Sequence, residues 1–124
     1  ANRVLRLMHA VMLTMEFNKK RAYQQARENM ITITELADVL ARDYGISFRK
    51  AHQMASKVSK KAIEKGKELY EIDVEQINRW LDDVELTEED WEGVIDPKHF
   101  INRRKVTGGT NPQVVKQMIA NRKK

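Results

Sequence analysis

The sequence predicts an all-α protein, and three observations carry that expectation. Apolar residues recur at three- and four-residue steps over most of the 124 residues, the spacing of one helical face. Most of the later runs are opened by a residue suited to an N-cap and several are closed by glycine. Almost no stretch alternates apolar and polar residues as a half-buried strand does.

The first run is the longest. Val4, Met8, Val11 and Met15 fall at i, i+4, i+7 and i+11, and Leu5, Leu7 and Met12 widen the stripe. This predicts one helix from Ala1 to Arg27. About 25 helical residues span roughly 40 Å, more than a small domain needs to cover. The face is too broad for a lone surface helix, and nothing in front of it caps it. The expectation is the end of a long bundle helix, residues 1–29, whose apolar face is covered by upstream chain or by other subunits. A small helical domain, residues 30–124, comes after it.

Within that domain, Thr32 and Glu35 have capping-box spacing. The helix they open should bury Leu36, Ala37, Val39 and Leu40 and stop at Gly45. Ser47 can cap the next helix, where Phe48, Ala51, Met54, Ala55, Val58 and Ala62 form the inner face and Gly66 ends the run. Asp73 with Gln76 opens a helix carrying Val74, Ile77, Trp80 and Leu81. Thr87 with Asp90 opens a short one carrying Trp91, Val94 and Ile95. Asp96-Pro97 starts another turn or two, since proline suits the first helical position. Thr110-Asn111-Pro112-Gln113 opens the last helix, expected to bury Val114, Val115, Met118 and Ile119.

Composition narrows the function classes. The chain has no cysteine, so disulfides and thiolate chemistry are excluded and a reducing compartment is favoured. No apolar run approaches the length of a membrane span and no signal peptide is visible. The net charge of +5 is unevenly placed: residues 67–97 hold two Lys/Arg against twelve Asp/Glu, while residues 98–124 hold eight Lys/Arg and no acid. The positive balance invites a nucleic-acid reading. The acidic block opposes a continuous phosphate-binding face, and solvated surfaces with intersubunit charge pairs are the preferred explanation.

Three patterns could carry chemistry. The pair of helices around Tyr44-Gly45-Ile46 resembles a helix-turn-helix, with Ser47, Arg49, Lys50 and Gln53 at the start of a recognition helix. Any helical hairpin with a glycine turn produces the same pattern. His9, His52 and His99 are scattered, with no spacing that suggests a metal site. His52 lies beside the inner face of its helix and reads as a partly buried, hydrogen-bonded structural histidine. Gly108-Gly109 precedes a helix N-terminus, where backbone N–H groups could hold an anion, but a glycine pair that turns the chain into a capped helix is the simpler reading. No nucleotide-binding loop is present, and Ser47, Ser56 and Ser59 show no Ser–His–acid arrangement. From the residues alone there is no catalytic, cofactor or metal site.

Two segments carry a resemblance. Thr34-Glu35-Leu36-Ala37-Asp38-Val39-Leu40 followed by Gly45-Ile46-Ser47-Phe48-Arg49-Lys50-Ala51-His52 is similar to the TDLADYL…G-x-PFR-x-AH stretch of argininosuccinate lyase. The tail from Arg103-Arg104 through Gly108-Gly109-Thr110, Pro112 and Val115 resembles that family's C-terminal RR…GGT-x-P-x-x-V. Order and spacing agree from about residue 30 to the end. Ser47 stands where the family has proline, residues 54–62 and 72–92 match loosely, and Trp80 and Trp91 are not hallmarks. The resemblance implies the C-terminal domain of a cytoplasmic homotetrameric enzyme of arginine biosynthesis, which splits argininosuccinate into arginine and fumarate by elimination. The family's serine loop and its upstream substrate-binding residues have no counterpart here. The implied role of this chain is therefore structural and non-catalytic, without cofactor, membrane or specific nucleic-acid partner. Its expected partners are the other subunits, or a second copy bound through the first helix. The alternatives are a related lyase with another substrate, a basic helix-turn-helix module and a diverged helical protein-interaction domain.

Overall fold

The computed structural model describes residues 2–81 and 83–122, and among them every regular element is helical. In chain order these are α1 (Asn2–Thr14), α2 (Lys19–Arg27), α3 (Ile33–Arg42), α4 (Phe48–Glu64), a 3-10 turn (Leu69–Glu71), α5 (Val74–Leu81), α6 (Glu88–Ile95), α7 (Pro97–Arg103) and α8 (Pro112–Arg122).

The expected single helix over residues 1–27 is two helices. Residues 15–18 are not helical, and the Asn18 side chain accepts a hydrogen bond from the Arg21 backbone N–H, capping a fresh start. The apolar stripe ends with Met15 and Phe17. The sequence of α2, KKRAYQQAR, is strongly polar and has no face that would reward continuing on the axis of α1.

The core is built on the hairpin of α3 and α4. Leu36, Ala37, Val39 and Leu40 meet Ala51, Met54, Ala55, Val58 and Ala62, and α5 and α6 close the cluster with Ile77, Trp80, Leu81, Trp91 and Val94. Gly45 at φ +67° turns the chain out of α3, and the Ile46 N–H reaches back to the Leu40 carbonyl at 3.1 Å, as in a Schellman closure. Trp91 does two jobs: its ring fills the core, and its indole N–H donates to the Ile72 carbonyl at 2.8 Å. That satisfies the polar edge of a ring whose burial would otherwise be costly.

The expected caps form at Asp73, Thr87 and Asp96. At α8 it is Asn111 whose side chain accepts, from the Gln113 N–H at 2.9 Å. The Thr32–Glu35 capping box does not form. Thr32 sits in helical conformation without a side-chain cap bond, because the chain enters through two left-handed residues, Asn29 and Met30, both at φ 57°. Glu35 points instead into the body. Phe48 faces solvent rather than the core, and α8 buries none of its apolar residues fully: Val114 and Met118 are half-buried, and Val115 and Ile119 are 39% and 51% exposed. Apart from Pro97, the buried apolar side chains among the described residues all lie between Leu36 and Val94, which leaves α8 no layer to close.

Candidate functional site

The outer face of α4 is where the sequence suggests a recognition surface. Ser47, Arg49, Lys50 and Gln53 are indeed exposed there. Arg49 and Gln53, together with Phe48, His52, Ser56 and Lys60, border an open groove, which Ser47 and Lys50 do not line. The electrostatics are less favourable than the count of cations suggests. Lys50 is paired with Asp83 at 2.8 Å, and the ammonium groups of Lys61 and Lys65 lie over the Trp80 ring at 5.8 and 5.1 Å. Glu88, Glu89 and Glu92 are exposed on α6. Binding of duplex DNA should therefore be salt-sensitive, without sequence preference and no tighter than ~10⁻⁶ M at physiological salt. A fluorescence titration against unrelated duplexes tests this, and sub-micromolar sequence-dependent binding would reverse it.

The histidines do not come together. His52 is exposed and not the partly buried residue expected from its position. The inner face of α4 is Ala51, Met54, Ala55, Val58 and Ala62, and one residue beyond Ala51 turns the ring about 100° outward. There it sits edge-on to Phe48, centroids 4.5 Å apart. His99 packs against Gly93, and His9 is on the exposed face of α1. Among the described residues no group of three His, Asp or Glu side chains could hold a metal ion. No serine is hydrogen-bonded to a histidine or carboxylate among them either.

Gly108 and Gly109 build a turn. Gly108 has φ +84°, where side chains are strained. Gly109 is excluded from bearing a side chain by space: a Cβ there would lie 2.2 Å from the Arg104 carbonyl oxygen and 2.8 Å from that of Val106. The Asn111 N–H donates to the same Arg104 carbonyl at 3.3 Å, and the Asn111 amide donates to the Asn102 carbonyl at 2.8 Å. The loop is packed on itself, consistent with a turn rather than an anion cradle.

Among the described residues, the largest charged cluster is one that sequence reasoning does not assemble. Glu35 is 1% exposed. Its Oε1 accepts from Arg103 Nη1 at 3.4 Å and its Oε2 from Arg104 Nη2 at 3.2 Å, with Arg42 Nη2 at 3.8 Å. Arg104 also donates to Asp38 at 2.6 Å and lies over the Phe100 ring at 4.6 Å. Asp43 takes the remaining charge, from Arg42 at 2.9 Å and Arg103 at 3.6 Å. Three guanidinium groups thus meet three carboxylates. The formal charges balance, and the cluster ties Arg103 at the end of α7 and Arg104 just after it to α3. The spacing of Glu35, Asp38 and Arg42 on one face of α3 is the available signal, and their partners on the far side of the fold lie some sixty residues away.

A second fixture joins the end of α3 to the start of α6. The Tyr44 hydroxyl donates to Asp90 at 2.7 Å and the Thr87 hydroxyl to the same oxygen at 2.8 Å. These two donors hold the Asp90 carboxyl below the usual carboxylate range, while burial and that carboxylate push the Tyr44 phenol up.

The chain as a whole is similar to known proteins. Residues 30–102 match the family model described as argininosuccinate lyase C-terminal. The chain is 33% identical over 115 residues to argininosuccinate lyase of Methanocaldococcus jannaschii, covering 93% of this chain and 23% of that protein. It is 33% identical over 123 residues to argininosuccinate lyase of Caldicellulosiruptor saccharolyticus, covering 99% and 26%. Among solved structures, EDDS lyase in complex with formate superposes with a TM-score of 0.77 at 32% identity, over 84% of this chain and 22% of that one. The chain spans about a quarter of the length of the curated relatives it matches.

Proposed function

Because the chain belongs to the argininosuccinate lyase C-terminal family, we propose that it is the structural, non-catalytic C-terminal part of a carbon–nitrogen lyase. The reaction is the cleavage of argininosuccinate to arginine and fumarate in the cytoplasm. In this reading α3–α8 cap a helical bundle, and α1 is one helix of that bundle, covered by the other subunits of a homotetramer. The observation that carries it is the in-order match of residues 30–102 to the family. The helix ahead of that region supports it, since α1 contains no buried residue. The active site is assembled from segments outside this chain, and the domain's contribution is to shape its mouth.

The similarity to EDDS lyase favours a second reading on one point, the substrate. The domain architecture is shared with a lyase of a different name, so a related amino-acid substrate is the alternative within the same reaction class.

The test is a chimera. Residues 2–122 replace the matching C-terminal quarter of the Methanocaldococcus jannaschii argininosuccinate lyase, and fumarate release is followed by absorbance. The chain by itself should give no fumarate above the buffer blank. The chimera should assemble and release it. Turnover by the isolated chain that survives repurification would overturn the non-catalytic role, and a folded, assembled chimera without activity would overturn the family role.

A further inference from the structure

We propose that α2 is a releasable clasp, and that the left-handed corner at Asn29–Met30 is the joint about which it opens, so that α1 is carried between two orientations relative to the α3–α7 body.

No residue of α2 is fully buried, and only Ala22, Tyr23, Ala26 and Arg27 are half-buried, so hydrophobic burial holds it weakly. What adds to that hold is a column of alternating cations and rings. Lys98 Nζ lies 5.1 Å from the Tyr23 ring centroid, the Arg27 guanidinium lies 5.9 Å from the same ring, and it lies 4.7 Å from Tyr70 on the other side. One hydrogen bond reinforces the column, from the Tyr23 hydroxyl to Asp96 at 3.2 Å. Each of these contacts is weak singly and makes its contribution only while α2 lies against α7 and the 3-10 turn.

Two features work against the closed position. Met30 is at φ 57°, a conformation that costs an ordinary side chain energy and that opening would release. Arg27 Nε is shielded from solvent with no hydrogen-bond partner among the described residues, a deficit that water would repair once the clasp lifts. Met30 also packs against the core, so the corner stays anchored on the body side while α2 moves. A segment with few buried contacts, a strained corner and an unpaired shielded donor belongs to the low-stability end of a fold. Whatever α1 is built into would turn relative to the body through this joint.

The experiment uses the 124-residue chain with Tyr23→Phe and Arg27→Ala together. Native-state hydrogen exchange at residues 19–27 should accelerate by about tenfold while α3–α7 keep wild-type protection. Tyr23→Phe alone, which retains the ring, should give a smaller rise at the same amides. The chain has no cysteine, so Gln24→Cys and Ser56→Cys, both exposed positions, accept spin labels cleanly. With labelled protein diluted in unlabelled, the distance distribution should gain a second, longer population in the double variant. An equal rise in exchange across α3–α7, unchanged exchange at residues 19–27, or a single unchanged distance distribution would each overturn the clasp.

Discussion

Met8→Glu with Val11→Glu should turn a self-associating chain into a monomer. Val4, Leu5, Leu7, Met8, Val11, Met12 and Met15 are all exposed, from 46% at Val11 to 66% at Leu5 and Leu7, and none of the described residues covers them. Each such side chain left in water forgoes about 1.5–3 kcal/mol of burial. Even a fraction of that over seven positions rivals the roughly 5–15 kcal/mol that holds a domain folded. Pairing with a second copy, most simply about a two-fold axis through α1, recovers it. Arg3, Arg6 and His9 also lie on this helix, but the stripe itself carries no charge. Two glutamates at its centre would have to be desolvated on pairing. Light scattering across concentration reads the outcome. A wild-type chain that stays monomeric at high concentration with α1 fully ordered would contradict the expectation.

Arg103→Ala with Arg104→Ala should cost about 3 kcal/mol of stability. Removing partners from a buried carboxylate typically costs about 3–5 kcal/mol. The lower end applies because the arginine side chains are themselves 33% and 38% exposed and solvent screens part of their field. Among the described residues, Arg42 at 3.8 Å would be the one cation left near Glu35. The diagnostic arm is the triple variant with Glu35→Leu. If the cost is that of an uncompensated buried charge, replacing the charge by an apolar side chain recovers most of it. If it is lost packing around the tail, the triple variant is no better than the double. Urea unfolding with constant m-value separates the two.

The helices of residues 32–103 are legible in the sequence because two signals agree at most of them: an apolar face at helical spacing, and a cap or glycine close to its end. The Thr32 box has the right spacing and does not form. Its entry conformation is set by the corner at Asn29–Met30, and left-handed φ at a methionine has no sequence signature. The break after Thr14 is hidden for a related reason. Apolar spacing through Met15 runs into a polar stretch that is itself helical, and only Asn18 marks the seam. His52 shows the angular limit of such reading, since one residue along a helix separates a core position from an exposed one. The ion cluster cannot be assembled from sequence because its halves, on α3 and at the end of α7, are brought together by the fold. The family match needs none of this; it rests on residue identities in order.

The turn at Gly109 ties a residue without a side chain to an electrostatic outcome. Any Cβ there collides with the carbonyl of Arg104, whose guanidinium is committed to Glu35 and Asp38. Gly109→Ala removes no charge, yet it should displace the backbone that aims one. Its effect should then fail to add to that of Arg104→Ala, because both act on the same contact. The demand for glycine comes from backbone atoms and outlasts the arginine, so a survey of substitutions one position at a time would miss that the glycine also serves the ion cluster.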